Sequence, residues 1–532
     1  MILAVSTAVL GVGVEAALAR LAGRGDEPLD CGIVALLGLA ALTTLCAFLS
    51  LARPMDGASV LGILAIVAAS AFLRRRELGA RWRAVLRETA ARPAADLWLA
   101  AAVVACALAW ACVPSLSYDG GVYHGQATRW AERFAVVPGL GNLELRLGLV
   151  PTWFVMSAAT SGWFAGERIV ALNSFVFLCV AFYLWNGWPR LRLAPRSVSA
   201  WLRVLAIPGA LLVANEWLSH VTPDLPVAVL WFALLGMAVE EIEAGSTGEL
   251  RVGALALGTL AFFAVSIRMS AAPALLLAGY VGWTSPRRRR ALLALLGISA
   301  ILALPVLLRN TVQTGHPLMP LSWPGGFGFD WTIPEAVMQQ ARLGIRGTPD
   351  RVRLEWPDRV ALPIVALAGV VALLPLRLPT LRRFRTLFAG GLVALAFWGL
   401  TAPDPRFGRG LYLPLALVVA ICLAVGWTEK SPHPPRRGAV AVATALVTLV
   451  TVYDLIRAGR QVPPGAWVRA PAPPQFATTS APVGTLVVER PAQPQDCWYE
   501  PFPCSTLTYP IEARGTSFGD GFRSALEPGL RP

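Results

Sequence analysis

With 532 residues, 56% of them hydrophobic and only 15% charged, the chain is too apolar to be a soluble protein of ordinary composition. Its mean hydropathy is positive, and apolar runs of roughly 17–22 residues recur along it, the length that crosses a bilayer as a helix. The formal net charge of +14 comes almost wholly from arginine, Lys430 being the sole lysine; in so apolar a chain this excess marks cytoplasmic loops and argues against a nucleic-acid surface.

The expected class is an all-α polytopic membrane protein. The first twenty residues are apolar but lack a basic leading segment, so they read as a first helix and not as a cleaved signal peptide. Apolar segments follow near 31–52, 57–73, 97–114, 168–187, 204–219, 225–242, 251–267, 272–285, 291–307, 361–376, 386–402, 411–427 and 438–455, which with the first makes about fourteen transmembrane helices. Arginine clusters set their direction: Arg74–Arg76 with Arg81, Arg83, Arg87 and Arg92; then Arg190, Arg192, Arg196 and Arg203; then Arg287–Arg290; then Arg377, Arg382, Arg383 and Arg385; then Lys430, Arg436 and Arg437. With these facing the cytoplasm, the loops 115–148, 308–360 and 403–410 and the tail from about 456 face outward. Counting 149–165 as a crossing would place the second cluster outside. This stretch is therefore read as a re-entrant or juxtamembrane helix, the alternative non-crossing segment being 204–219, interrupted by Pro208. Three parts result: an N-terminal three-helix segment, 1–94; a membrane core, 95–455; and a small external module, 456–532.

Ser117–Gly148, SYDGGVYHGQATRWAERFAVVPGLGNLELRLG, is the long polar insertion that interrupts this pattern early. It opens with Asp119 where the preceding apolar run should leave the bilayer, and ionisable groups at that depth are costly and tend to be functional. Tyr123, His124, Glu144 and Arg146 follow. YHGQATRWAERF reads as a short interfacial helix with Trp130 and Phe134 toward lipid. Four other charged turns fall on the same face: Asp224 in SHVTPDLP, Arg268 in SIRMSAAP, Arg309 and His316 in LLRNTVQTGHPLMP, and Asp404, Arg406 and Arg409 in APDPRFGRG. Each also has a plain structural reading, Asp224 as a helix cap and Asp404 with Arg406 as a turn tie. Taken together they describe an outer cavity with an acid–base group and an anion site.

Six of the eight cysteines lie in or near apolar runs, as buried thiols do. Cys497 and Cys504, in DCWYEPFPCS, suit a small disulfide loop in an oxidising compartment, and no further ligands in the tail suggest a metal there.

An Asp-bearing first external loop, a second Asp at an outer turn and a soluble external C-terminal module together resemble the GT-C superfamily of polyprenol-phosphate-sugar-dependent membrane glycosyltransferases. More narrowly, YDGGVYH, VPGLGNLELRLG, TPDLP, RNTVQTGHPLMP, APDPRF and CWYEPFPC look like those of a group of bacterial multi-span membrane proteins, over about 95–532. The resemblance implies a hexosyltransferase-type enzyme of the bacterial inner (plasma) membrane with its C-terminus extracytoplasmic. It would move a sugar from a polyprenyl-phosphate carrier to a hydroxyl of a glycan, lipid or protein acceptor, with membrane lipids as surroundings and no nucleic acid. Asp119 matches the first-loop carboxylate that acts as general base. The resemblance implies a metal-independent or metal-assisted transfer; Gly120 and Gly121 stand where some members carry the second carboxylate of an Asp-x-Asp pair, so no cofactor is expected, a divalent cation being the unsupported alternative.

The chemistry fits these residue types. Glycosyl transfer from a phosphate needs a carboxylate near the attacking hydroxyl and cations on the departing phosphate. Arg268, Arg309 and Arg406 are the donor-phosphate candidates, since arginine binds phosphate bidentately. Tyr123, Glu144, Arg146, Asp224, His316 and Asp404 are substrate-binding candidates, and His124 could share the base role. With no second carboxylate placed as nucleophile, inversion is the expected outcome. An envelope polysaccharide polymerase or ligase, or a transporter of lipid-linked sugar, are the alternatives.

Overall fold

The structure, a computed structural model, describes residues 2–23, 28–113, 117–149, 152–161, 172–245, 249–323, 325–346, 354–373, 382–429, 437–463, 465 and 476–526. The N-terminal helices are α1 (Ile2–Ala22), α2 (Cys31–Leu49) and α3 (Gly57–Leu73). Asp30 caps α2 by accepting the Gly32 N–H at 2.9 Å, and Asp56 caps α3 by accepting that of Ser59 at 2.8 Å. Helices α1 and α2 approach at backbone distance: a Cβ on Gly38 would lie 1.7 Å from the Thr7 carbonyl oxygen, and one on Gly11 2.0 Å from that of Val34. Small residues permit such contact between membrane helices, where close packing replaces the hydrophobic effect. Helix α3 then turns through 80° into α4 (Arg75–Ala90), the first arginine-rich segment.

Helix α5 (Ala94–Ala111) leads to the polar insertion, which folds as one wide helical turn over Gly120–His124 followed by α6 (Gly125–Arg133) and α7 (Leu140–Leu143). Next comes α8 (Thr152–Ser161), whose ten residues span about 15 Å, half the hydrocarbon thickness. It is the described part of the stretch expected not to cross; 162–171 lie outside the described residues. The core continues with α9 (Leu172–Trp185), α10 (Gly187–Leu193), α11 (Val198–Ala214), α12 (Asp224–Ala244), α13 (Val252–Ile267), α14 (Leu275–Thr284), α15 (Arg288–Thr314), α16 (Glu335–Arg346), α17 (Trp356–Leu373), α18 (Arg385–Thr401), α19 (Pro405–Glu429) and α20 (Arg437–Gln461). Helix α12 is the central post, with 89% of its apolar window buried.

Among the described residues, eight helices are long and apolar enough to cross a membrane, or nine if α3 and α4 form one bent span. Length and composition thus support a multi-pass membrane protein with fewer full-length spans than the fourteen expected. The difference lies in segments such as α11, α13 and α18, apolar but of 16–17 residues, and α14 with ten, which pack against neighbours and need not each match the bilayer. Arg377, Lys430 and Arg436, used to orient the chain, lie outside the described residues.

Charge collects at the two ends of α12. At its C-terminal end Glu240 meets Arg203, which is 1% exposed and also reaches Asp30 at 3.3 Å and the Tyr183 carbonyl at 3.2 Å; nearby, Arg192 forks onto Asp96. Several residues of the first two arginine clusters are therefore tied to carboxylates. At the N-terminal end of α12 lie Asp224 and the candidate site.

The C-terminal module consists of two antiparallel hairpins, β1 (Thr478–Val483) with β2 (Leu486–Pro491) and β3 (Ile511–Ala513) with β4 (Phe522–Ser524). A Cys497–Cys504 disulfide lies between them. The module shares a hydrophobic core with the polar insertion, in which Trp130 is 2% exposed and meets the rings of Phe502, Phe518 and Phe522. The expectation that Trp130 and Phe134 face lipid is corrected: α6 is amphipathic because one face receives the tail. Gln126 fastens the two, its amide donating to the carbonyls of Trp498 and Pro501 at 3.0 Å and accepting the Cys504 N–H at 3.0 Å. Gln126→Leu should leave these buried groups unpaired, at a cost of about 1–3 kcal/mol. The outcome to measure is a lowered unfolding temperature together with faster protease cleavage of the tail; an unchanged tail would remove Gln126 as its fastener.

Candidate functional site

Asp119 stands on the last turn before the wide helical turn, where two glycines follow it for a steric reason. A Cβ on Gly120 would sit 2.5 Å from the Ser117 hydroxyl and 3.2 Å from the Trp498 indole, and one on Gly125 would lie 2.5 Å from the Trp498 carbonyl. Gly120 and Gly125 thus let the tail close over the loop. Trp498 itself adopts φ +42° while its N–H donates to the Gly121 carbonyl at 2.8 Å.

The Asp119 carboxylate accepts a hydrogen bond from Arg406 Nη1 at 2.7 Å, joining the first loop to the start of α19. Asp404 holds the same arginine from the other side, its Oδ2 lying 3.2 Å from Nε and its Oδ1 accepting the Arg406 N–H at 3.0 Å. The next residue, Phe407, lies beneath two cations: the guanidinium carbons of Arg268 and Arg406 are 4.1 Å and 4.6 Å from its ring centre. Arg268, just past the end of α13, is ion-paired with Asp224, the first residue of α12. The structure therefore brings Asp119, Asp224, Arg268, Asp404 and Arg406 together from separate stretches of chain.

Electrostatics fixes their protonation. Burial works to raise the Asp119 pKa, but the Arg406 guanidinium, then His124 and Arg146, outweigh it and hold the carboxyl below its ordinary 3.8. It is ionised at neutral pH. His124, 3% exposed and edged by Tyr123 and Phe154, is pushed down to about 3 chiefly by burial, with Asp119 opposing. His220 is pushed to about 4 by burial. Tyr123 is raised to about 12 by burial and by the Asp119 charge. The two imidazoles and the phenol are therefore uncharged at pH 7, and Asp119 is the charged acceptor among them. Arg146 sits 5.7 Å from the Tyr118 ring, within electrostatic reach of Asp119.

Three sequence candidates have other partners. Glu144, 5% exposed, accepts the Thr506 hydroxyl at 2.6 Å and anchors the tail. His316, 3% exposed, places Nε2 3.0 Å from the Ile333 carbonyl, while its own N–H donates to Thr314 Oγ1, holding the turn after α15. Arg309, 3% exposed, donates to the Ser50 hydroxyl at 2.7 Å and is enclosed between α15 and the segment after α6. Their spacing beside other polar residues suggested a site, but their burial directs them to internal bonds.

Sequence reading passed over Phe407, Trp498 and Asp358. Phe407 and Trp498 were hidden in motifs noted for their charges and cysteines. Asp358, 0% exposed at the start of α17, receives both arms of Arg409 at 2.9 Å and the Tyr412 hydroxyl at 2.6 Å. This fork locks the first turns of α19, and so the backbone that carries Arg406. An open apolar groove lined by Trp231, Leu235, Pro273, Leu276, Gly390 and Leu411 runs between α12, α14, α18 and α19. No group of three or more His, Cys, Asp or Glu among the described residues could hold a metal ion.

Arg406→Gln should remove the main stabiliser of ionised Asp119 while leaving its burial, so the Asp119 pKa should rise. Any rate that requires the carboxylate would then lose activity at higher pH than in the parent protein as acid is added. An acidic limb unmoved by the substitution would show that Arg406 does not set this group.

A protein-family model described as "Domain of unknown function (DUF8201)" matches residues 1–352, more than half the chain; Asp119, Asp224 and Arg268 fall within the match, Arg406 and the C-terminal module beyond it. No curated protein matches significantly. Among solved structures, the chain is similar to the single-particle cryo-EM structure of arabinosyltransferase EmbB from Mycobacterium smegmatis, with 16% identity and a TM-score of 0.40, over 77% of this chain and 45% of that one. The match thus spans less than half of that structure's length.

Proposed function

We propose that this chain, which belongs to the DUF8201 family, is an integral membrane glycosyltransferase that moves a sugar from a polyprenyl-phosphate carrier to an acceptor hydroxyl on the extracytoplasmic side. The observation that carries the reading is the meeting of an ionised carboxylate with two arginines, one of them, Arg406, on the helix that lines an apolar groove through Leu411 and Leu415. An isoprenoid chain suits the groove, since its transfer from water is driven by apolar area alone. The donor phosphate suits Arg268 and Arg406, whose charges converge on Phe407.

In this mechanism the donor phosphate takes the place of Asp119 on Arg406 and binds Arg268 beside Asp224, and the released Asp119 accepts a proton. The acceptor oxygen attacks the anomeric carbon and the bond from that carbon to the phosphate oxygen breaks. The hydroxyl proton goes to Asp119, and the carrier leaves as polyprenyl phosphate, its charge held by Arg268 and Arg406. With Asp224 and Asp404 kept on the arginines, Asp119 is the carboxylate released at the reacting face, which gives a single displacement with inversion. His124 and Tyr123, uncharged and buried behind Asp119, support the loop and take no proton in this scheme. Asp224 and Asp404 hold the two arginines, and Arg146 adds positive potential. No step calls for a metal. The cell-envelope acceptor is a glycan, lipid or protein hydroxyl.

Asp119→Asn keeps the side-chain shape and removes the acceptor charge, so transfer should fall by about 100-fold or more while donor binding persists. Arg268→Ala and Arg406→Ala should weaken donor binding as well as turnover. Single-turnover transfer and donor binding, measured on purified folded variants, separate the two signatures. Wild-type transfer by the Asp119→Asn protein would end the general-base role.

The groove is tested separately at Gly390, where an added Cβ meets nothing within 4 Å. Gly390→Phe should fill the groove and raise KM for a long-chain donor, leaving KM for a short-chain analogue unchanged. Equal effects on both would place the carrier elsewhere.

A further inference from the structure

A second polar pocket lies away from the Asp119 cluster, enclosed by α6, α15 and the segment between α6 and α7. Ala127, Ala131, Val136 and Leu140 form its apolar walls, and Trp130, Arg309 and Gln313 supply its polar atoms. These three side chains are 2%, 3% and 1% exposed. Among the described residues Trp130 Nε1, Arg309 Nε and Gln313 Oε1 have no hydrogen-bond partner. Buried polar atoms in folded proteins are almost always satisfied, and three orphans around one pocket point to a shared ligand. Its volume, about 10 Å³, admits one atom-sized species.

Charge selects the species. Arg309 has the Ser50 hydroxyl as its described partner, Nη1 donating at 2.7 Å, and no carboxylate pairs with it among the described residues. A buried guanidinium without a counter-charge is strongly unfavourable. Two unpaired N–H donors, from Arg309 and Trp130, belong to residues that line the pocket, and rotation of the Gln313 amide by half a turn presents a third. We propose that this pocket is a binding site for a single small monovalent anion of halide type, which neutralises Arg309. The anion joins α15 to α6 and to the segment between α6 and α7, so its loss loosens that junction without touching the reacting residues.

The test uses the full-length chain purified in detergent, at fixed ionic strength, with chloride or bromide exchanged for gluconate, which is too large to enter. A ligand that binds only the folded state raises the unfolding temperature with its concentration. The parent protein should therefore unfold several degrees higher in chloride or bromide than in gluconate, with saturation, and bromide should give an anomalous scattering peak within hydrogen-bond distance of Arg309 Nε and Trp130 Nε1. Gln313→Leu, which keeps the cation but loses the amide, should raise the half-saturating chloride concentration by about tenfold, the effect of losing one hydrogen bond to a charged group. Arg309→Gln should abolish the chloride dependence. Identical unfolding in chloride and gluconate, or a pocket that holds water and no bromide peak, would overturn the proposal. The parent-protein titration decides the matter even if Arg309→Gln does not fold.

Discussion

The ion pair between Asp119 and Arg406 is the contact on which the end of the molecule at the start of α12 is organised. It joins residues 287 apart in sequence, the loop after α5 and the first turn of α19, and closes a ring in which Arg268 and Asp224 complete the charge balance around Phe407. At the edge of a bilayer neither partner can be left bare, because a lone charge there is expensive and a pair is tolerated. The pairing also sets chemistry. It keeps Asp119 ionised and holds Arg406 where a phosphate would compete for it, so a ligand carrying its own negative charge would free the carboxylate as it binds.

The Asp358 fork shows how such a pair is kept in register. Asp358 is 0% exposed, accepts both arms of Arg409 and the Tyr412 hydroxyl, and thereby ties α17 to α19 one turn beyond Arg406. A charge-assisted fork resists rotation of the helix in a way apolar packing alone does not. The C-terminal module performs the matching task for Asp119. Trp498 lies over Gly120, and Gln126 binds the chain on either side of it. The membrane core thus positions the arginines and the tail positions the carboxylate, which explains why a proline-rich tail with two three-residue strands is held so firmly.

At the opposite end of α12 the same economy of charge appears with a different purpose. Arg203 between Glu240, Asp30 and Tyr183, and Arg192 on Asp96, cross-link α2, α5, α9, α10, α11 and α12. These ties fasten the helix ends to one another.

Composition and hydropathy alone determined that the chain is a multi-pass helical membrane protein, because the bilayer demands long apolar helices whatever their arrangement. The spacing of Cys497 and Cys504 suggested their pairing, since a short loop joins them. The charged outer turns could also be read locally, because a charge at a helix end stands out against apolar sequence. Which of those charges share a site was decided by tertiary packing. Asp119, Asp224, Arg268 and Arg406 converge, whereas Glu144, His316 and Arg309 are drawn into the loop, the turn and the second pocket. Trp130 looked lipid-facing because an amphipathic helix shows where its apolar face is but not what covers it; the covering residues, Phe502, Phe518 and Phe522, lie nearly four hundred positions later. Helix termini and apolar faces are written in short stretches of sequence. Partners brought together across hundreds of residues are not, because they depend on how the whole bundle closes.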